Sequence, residues 1–322
     1  MPVLDDPRWD PQMRLVLEMV EAGGAEARTR ALGQPFARLR AELDAAGMFA
    51  NEGGPAMAAT EEVWAPVQGR SMRCRIYRPR SMAGAAPALV FLHGGGWALS
   101  SIETHDRLAR EIASRSGVAV ISVDYALSPE AVFPQALEEC AELVSWLARH
   151  GEDWGVNPDR LAIGGDSAGG NLAFGTAMFL RDRRERILRA LLALYPVCDC
   201  DLTTESYEEF ADGCFLTREM MRSFWSGYVP RLALRFHPYA SPLRGHLHGL
   251  PPSLLVLAEL DVLRSEGEEM SRRLAQAGCE VTCETFSGMA HGFMRHAGRI
   301  GVARDALAKS GAWLMARMER DV

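Results

Sequence analysis

Residues 160–174, RLAIGGDSAGGNLAF, decide the fold of this chain. An apolar run typical of a buried strand leads into Gly165-Asp166-Ser167-Ala168-Gly169, and a helical pattern follows. Small residues two positions before and after the serine let a strand turn sharply into a helix. The hydroxyl would then stand at the positive end of the helix dipole, which favours negative charge. The pattern predicts a nucleophile elbow; the alternative is a glycine-rich turn whose serine only caps the helix.

The composition is that of an ordinary globular protein and excludes several classes of partner. The 322 residues are 48% hydrophobic and 24% charged, and the net charge of −7 argues against a nucleic-acid partner. No stretch approaches the roughly eighteen apolar residues of a membrane span, and the charged N-terminus does not resemble a signal peptide. Seven scattered cysteines predict reduced thiols in a cytoplasmic protein. Cys198-Asp199-Cys200 lacks a second pair, so we expect no zinc site.

Apolar runs alternate with helical patterns from about residue 60 onward. Two segments of period two, 62–67 and 72–77, predict a hairpin around Gln68-Gly69. The alternation that follows predicts an α/β fold with an eight-stranded, mostly parallel sheet and helices on both faces. Further strands are predicted at 88–92, 117–123, 161–163, 190–195, 253–258 and 280–286, and helices at 106–114, 136–148, 170–181 and 265–277. A capping box at Ser265-Glu266-Gly267-Glu268 would begin the last of these helices.

Two segments stand outside this alternation and predict a helical cap. Near the N-terminus, an apolar stripe predicts one helix, a second is predicted at 38–46, and 47–58 reads as a linker. More than fifty residues separate the strands ending at Tyr195 and starting at Ser253, too many for a simple crossover. We therefore expect residues 1–50 and 199–233 to cover the serine, with 51–198 and 234–322 as the two halves of the core. Within the insert, Thr217 would be the N-cap of a helix. The apolar residues of that helix could alternatively form only a small core of their own; they are Met221, Phe224, Trp225 and Tyr228. The apolar stripe of the N-terminal helix consists of Met13, Val16, Leu17 and Val20.

A serine hydroxyl needs a histidine to accept its proton and a carboxylate to orient that histidine. Downstream of Ser167, a predicted strand runs into Asp261, and His291 lies in a glycine-flanked loop after the last predicted strand. The order Ser, Asp, His is the one expected of α/β-hydrolases. Glu259 and Glu266 compete for the acid role. We prefer Asp261, because Glu259 should still lie within the strand and Glu266 in the following helix.

The motif His93-Gly94-Gly95-Gly96-Trp97 directly follows the predicted strand 88–92. Three glycines let backbone N–H groups approach a substrate oxygen that side chains would obstruct. The alternative, a phosphate-cradling turn, is disfavoured because no GxxxxGK[ST] motif is present. We expect His93 to brace the loop. The remaining histidines are expected in solvated or capping roles at positions 105, 150, 237, 246, 248 and 296.

Together these motifs resemble the hormone-sensitive-lipase family of bacterial carboxylesterases, in its GDSAG-type branch. The segments YALSPE (125–130), WGVNPDR (154–160), DVLR (261–264) and HGF (291–293) extend the resemblance. The chain departs from the family pattern at Ala126, Val262 and Ser265, where arginine, proline and aspartate are common. The resemblance implies a two-part cap and a homodimer formed along the last strand and its helix. It also implies a catalytic triad of Ser167, Asp261 and His291, and an oxyanion hole formed by the N–H groups of Gly95, Gly96 and Ala168.

These observations predict a serine carboxylesterase that acts on a small-molecule ester without cofactor or metal. The aromatic residues Trp97, Phe215, Phe224 and Trp225 suggest a small, partly closed pocket, and hence short- to medium-chain acyl groups. One alternative is a non-catalytic receptor on the same fold, disfavoured because His291 is in place. The other is an amidase or peptidase, since the same triad cleaves amides.

Overall fold

Strands and helices alternate along the computed structural model, which describes residues 6–20, 40–42, 45, 48–80, 84–213 and 215–319. The strands are β1 (Ala59–Val67), β2 (Arg70–Arg78), β3 (Ala86–Leu92), β4 (Ala119–Val123), β5 (Val156–Asp166), β6 (Leu188–Leu194), β7 (Ser253–Leu260) and β8 (Val281–Ala290). The helices are α1 (11–20), α2 (Asp106–Ser116), α3 (Gln135–His150), α4 (Ala168–Asp182), α5 (Glu205–Glu209), α6 (Arg218–Tyr228), α7 (Leu232–Arg235), α8 (Arg264–Gln276) and α9 (Gly301–Met318).

The strands form one sheet in the order β1-β2-β4-β3-β5-β6-β7-β8. Strand β2 pairs antiparallel with β1 and with β4, and the other neighbouring strands pair parallel. All five residues of β4 are buried, as expected of a strand covered by helices on both faces. Gln68 and Gly69 have φ of 45° and 71°, the left-handed conformation that a two-residue hairpin requires. The predicted α/β sheet and its leading hairpin are confirmed.

The parallel strands place their carboxyl ends at one edge of the sheet. Leu92 of β3 pairs with Gly165 of β5, and Asp166 pairs with Leu194 of β6. The loops that leave these strands therefore start side by side, where ligands bind in open α/β sheets. The glycine-rich loop, the serine and the acid loop after β7 all belong to this edge.

The long insert between β6 and β7 contains α5, α6 and α7. The Thr217 hydroxyl accepts a hydrogen bond of 3.1 Å from the Met220 N–H, so Thr217 is confirmed as the N-cap residue of α6. The apolar face of α6 is buried against the loop after β3. The ring of Tyr228 stacks on Trp97 with centroids 4.3 Å apart, and that of Trp225 lies 4.9 Å from Trp97.

The predicted capping box at Ser265 is wrong. Helix α8 begins at Arg264, with Leu263 as its N-cap, so Ser265 lies within the first turn. The Leu263 N–H donates instead to Asp261 Oδ1 at 3.0 Å. Ser265 bonds across to α5: its hydroxyl accepts from the Ser206 N–H at 3.0 Å, and its own N–H donates to the Ser206 hydroxyl at 3.1 Å.

The N-terminal helix α1 buries Met13, Val16 and Leu17, as its apolar stripe predicts. Residues 40–42 and 45 of the predicted second helix are helical, and the rest of 38–46 lies outside the described residues. The predicted linker contains a 3₁₀ turn at Met48–Asn51. Among the described residues, no helix combines the length and apolar character needed to cross a bilayer.

Candidate active site

Ser167 occupies the junction between β5 and α4. Its φ of 57° and ψ of −119° are strained for a residue with a side chain. A Cβ on Gly165 would lie 2.3 Å from the Leu92 carbonyl oxygen, and a Cβ on Gly169 only 1.8 Å from it. The two glycines therefore let the turn pass directly against β3. The Ser167 N–H donates to the Leu194 carbonyl at 2.8 Å, which fixes the turn to β6.

The structure brings the three predicted triad residues together. His291 Nε2 lies 2.8 Å from Ser167 Oγ, and His291 Nδ1 lies 2.7 Å from Asp261 Oδ2. Asp261 is 1% exposed, so its carboxylate contacts the imidazole with little competition from water. Because the carboxylate can only accept, Nδ1 carries the proton and the Nε2 lone pair faces the serine hydroxyl.

Neither of the competing acids contacts the imidazole. Glu259 Oε2 accepts the Gly288 N–H at 2.8 Å, within the strand that precedes His291. Glu266 Oε1 accepts the Cys198 N–H at 2.7 Å. Burial raises the pKa of Glu266 well above its usual range, which favours the neutral acid. Both glutamates fasten backbone around the site.

The glycine-rich loop after β3 presents free backbone donors. Gly95 and Gly96 have φ of 117° and 61°, and a Cβ on Gly95 would lie 2.3 Å from the Leu99 carbonyl oxygen. Within the described part of the chain, the N–H groups of Gly95, Gly96 and Ala168 make no hydrogen bond to the protein. Ala168 is the first residue of α4, where backbone N–H groups have no partner inside the helix.

Aromatic side chains from the insert cover this loop. A Cβ on Gly96 would lie 2.3 Å from the ring of Phe224, so the ring lies directly on the glycine. Trp97 and Trp225, expected from the sequence to line a pocket, are instead fully buried against each other and Tyr228. Phe224 therefore remains as the aromatic residue of α6 that borders the free donors.

Two of the histidines expected in solvated or capping roles are buried. His105 is 1% exposed and His296 8% exposed. Burial lowers the pKa of His296 to about 3, and it lowers the pKa of His93 to about 3 as well. The ring of His93 stacks on Tyr125 with centroids 4.5 Å apart, in keeping with its expected bracing role.

Sequence reasoning missed Tyr195, the residue that follows β6. It has a φ of 36°, is buried, and meets the His291 ring edge-to-face with centroids 4.9 Å apart. The signal available was its place at the end of a predicted strand. Such positions collect site residues in parallel sheets.

The chain is similar to known hydrolases over most of its length. The family described as the alpha/beta hydrolase fold matches residues 89–295. Ethyl acetate hydrolase from Pseudomonas putida is 32% identical over 92% of this chain and 96% of its own length. Carboxylesterase NlhH from Mycobacterium tuberculosis is 34% identical over 74% of this chain and 76% of its own length. The crystal structure of a thermostable esterase from Pseudomonas putida ECU1011 has a TM-score of 0.91 at 34% identity, covering 98% of this chain and 99% of that one.

The chain belongs to the alpha/beta hydrolase fold family. Within that family it is a serine carboxylic ester hydrolase of the hormone-sensitive-lipase type.

Proposed function

We propose that Ser167 Oγ attacks the ester carbonyl carbon while His291 Nε2 accepts the hydroxyl proton. Asp261 holds the imidazole in the required tautomer and stabilises the imidazolium that forms. The single observation that carries this proposal is the continuous pair of hydrogen bonds, 2.8 Å and 2.7 Å, from serine through histidine to aspartate.

The N–H groups of Gly95, Gly96 and Ala168 would bind the oxyanion of the tetrahedral intermediate. None of these groups donates a hydrogen bond within the described residues, which supports this role. One such donor contributes roughly a hundred- to a thousandfold in kcat. The imidazolium then protonates the leaving alcohol, and the acyl group remains on Ser167. Water, deprotonated by His291, attacks the acyl-enzyme, releases the acid and restores the serine.

The substrates would be small esters with short- to medium-chain acyl groups. The close approach of the Phe224 ring to Gly96 supports this, because it restricts the space beside the proposed oxyanion donors. Residues 1–50 and 199–233 would act as the cap. Arg8 supports a joint role for the two segments, since its guanidinium donates to Glu209 of the insert at 2.7 Å, and Arg264 donates to the same carboxylate at 2.9 Å.

A homodimer would form by pairing of β8 with its copy in a second chain. Strand β8 is the last in the sheet order, which supports this arrangement because no other described strand pairs with its outer edge; the Asp10 N–H donates to the Gly288 carbonyl near its carboxyl end. Six described cysteines are free thiols, which agrees with our expectation of a cytoplasmic enzyme. Light scattering on the purified protein tests the dimer, and a monomer mass would contradict it.

A fluorophosphonate probe tests the nucleophile. We expect one adduct, located on Ser167 by peptide mass spectrometry, and an adduct on another residue would overturn the assignment. A panel of 4-nitrophenyl esters from acetate to laurate, with 4-nitroacetanilide included, tests the substrate class. We expect kcat/KM to peak at or below the octanoate, while faster cleavage of the anilide would indicate an amidase.

A further inference from the structure

A buried carboxylate lies directly beside the serine and is not used by the triad. Asp166 is 3% exposed. Its Oδ1 accepts the Gly94 N–H at 2.8 Å, and its Oδ2 accepts His105 Nε2–H at 3.4 Å. The carboxylate therefore joins the last residue of β5 to the glycine-rich loop after β3 and to the segment before α2.

The surroundings of this carboxylate favour its charged form. Burial acts to raise the pKa of Asp166, but His105, the Arg295 guanidinium and the Gly94 N–H together hold it below its usual value. Arg295 comes from the loop that follows His291 and donates to the Thr104 carbonyl at 3.1 Å. A fixed negative charge at this point strengthens each hydrogen bond that it accepts.

The contact with Gly94 constrains the whole glycine-rich loop. A Cβ on Gly94 would lie 2.6 Å from Asp166 Oδ2, so the loop packs against the carboxylate without a gap. The preceding carbonyl, that of His93, accepts the Tyr125 hydroxyl at 2.6 Å. Two consecutive residues of the loop are thus fastened immediately before Gly95, whose N–H we propose as an oxyanion donor.

We propose that Asp166 is a positioning residue whose carboxylate, through the Gly94 N–H, holds the Gly95 and Gly96 N–H groups in register with Ser167 Oγ. It touches no reacting atom. This inference rests on the proposed function, because it concerns donors that act only when an oxyanion forms at Ser167. A donor misplaced by a fraction of an ångström weakens transition-state binding more than substrate binding.

The experiment compares Asp166→Ala and Asp166→Asn with the wild-type enzyme on 4-nitrophenyl acetate. A second readout is inhibition by phenylboronic acid, which forms a tetrahedral adduct on a serine and so reports on the oxyanion donors. The matched control is Glu139→Gln. Glu139 is also a buried carboxylate that accepts a backbone N–H, that of Ala126 at 2.9 Å, and pairs with a basic side chain, Arg70, but its hydrogen bonds within the described residues do not include the glycine-rich loop.

For Asp166→Ala we expect kcat to fall at least a hundredfold with KM changed less than about threefold, and the inhibition constant of the boronic acid to rise by a similar factor. Asp166→Asn keeps an oxygen that can accept the Gly94 N–H, so about a tenfold loss in both readouts is expected. Glu139→Gln should stay within about threefold of wild type in both.

Three results would overturn the inference. One is a folded Asp166 variant with wild-type kcat and boronic acid affinity; if the alanine variant does not fold, the asparagine variant decides. The second is a loss of kcat without weaker boronic acid binding, and the third is an equal loss in the Glu139 variant. Wild-type protein that hydrolyses no ester, or reacts with fluorophosphonate elsewhere than at Ser167, would instead refute the proposed function.

Discussion

The indole of Trp97 stacks on the ring of Tyr228 with centroids 4.3 Å apart and planes inclined by 11°. Trp97 ends the glycine-rich loop of the core, whereas Tyr228 ends α6 of the insert. Both rings are fully buried. The insert and the loop that carries the proposed oxyanion donors are therefore one packed unit, so changes in α6 should reach the chemistry.

Two substitutions of Tyr228 distinguish the contribution of its ring to stability from that of its hydroxyl. Tyr228→Ala should lower the free energy of unfolding by about 3–5 kcal/mol, because it removes a buried ring from a packed cluster. Among the described residues, the Tyr228 hydroxyl is buried without a hydrogen-bond partner. Tyr228→Phe should therefore raise the free energy of unfolding by about 1 kcal/mol. Urea unfolding measures both, and a destabilised phenylalanine variant would mean that the hydroxyl has a partner after all.

The proposed acid can be distinguished from its two competitors. Asp261→Asn should lower kcat by about 10⁴, because the amide favours the wrong tautomer of His291. Ser167→Ala should lower kcat at least as much. Glu259→Gln and Glu266→Gln should cost less than about tenfold, since neither carboxylate reaches the imidazole. Steady-state kinetics on 4-nitrophenyl acetate decides, and a glutamate variant as impaired as Asp261→Asn would reassign the acid.

Phe224 should limit the acyl chain. Its ring lies on Gly96, so Phe224→Ala is expected to open space beside the proposed donors. The ratio of kcat/KM for octanoate to that for acetate should rise at least about tenfold, as a hydrophobic pocket gains room for methylenes. Phe236→Ala is the control, because that ring is 56% exposed. An unchanged ratio in Phe224→Ala would show that acyl length is set elsewhere.

Buried histidines should make the fold sensitive to acid. Burial lowers the pKa of His296 from its usual value of about 6.5 to about 3 in the folded chain. Between these values the unfolded chain binds a proton that the folded chain excludes, so stability is full above pH 6.5 and is lost as the pH falls. Between pH 7 and pH 5, protonation of this one group in the unfolded chain should lower the free energy of unfolding by about 2 kcal/mol.

His296→Phe tests this directly. Urea unfolding at pH 7 and at pH 5 gives the loss in free energy of unfolding on acidification. This loss should be about 2 kcal/mol smaller in the variant than in wild type. His150→Gln is the control, because the His150 side chain is half exposed, and it should leave the loss unchanged. Equal acid sensitivity in wild type and His296→Phe would contradict the burial of a neutral imidazole.

Much of this molecule could be predicted from local patterns. The period-two segments gave the hairpin around Gln68, the buried runs gave the parallel strands, and Thr217 marked the start of α6. The local rule failed at Ser265. A serine followed three residues later by glutamate resembled a capping box, but the helix begins one residue earlier, at Arg264, and Asp261 accepts the N–H of its N-cap residue, Leu263. Where a helix begins depends on such neighbouring contacts, which are not visible in a short motif.

The sequence by itself determined the α/β alternation, the sharp turn at Ser167 and the glycine-rich loop after β3, because each depends on residues within one turn or one strand. The tertiary structure alone decided that His105 and His296 are buried and that Phe224 covers Gly96, and it brought Asp261, which the sequence only favoured over two glutamates, to His291. These contacts join segments far apart in the chain, and the burial of a side chain depends on what packs over it. Local periodicity specifies which face of an element is apolar, but not which distant element covers that face.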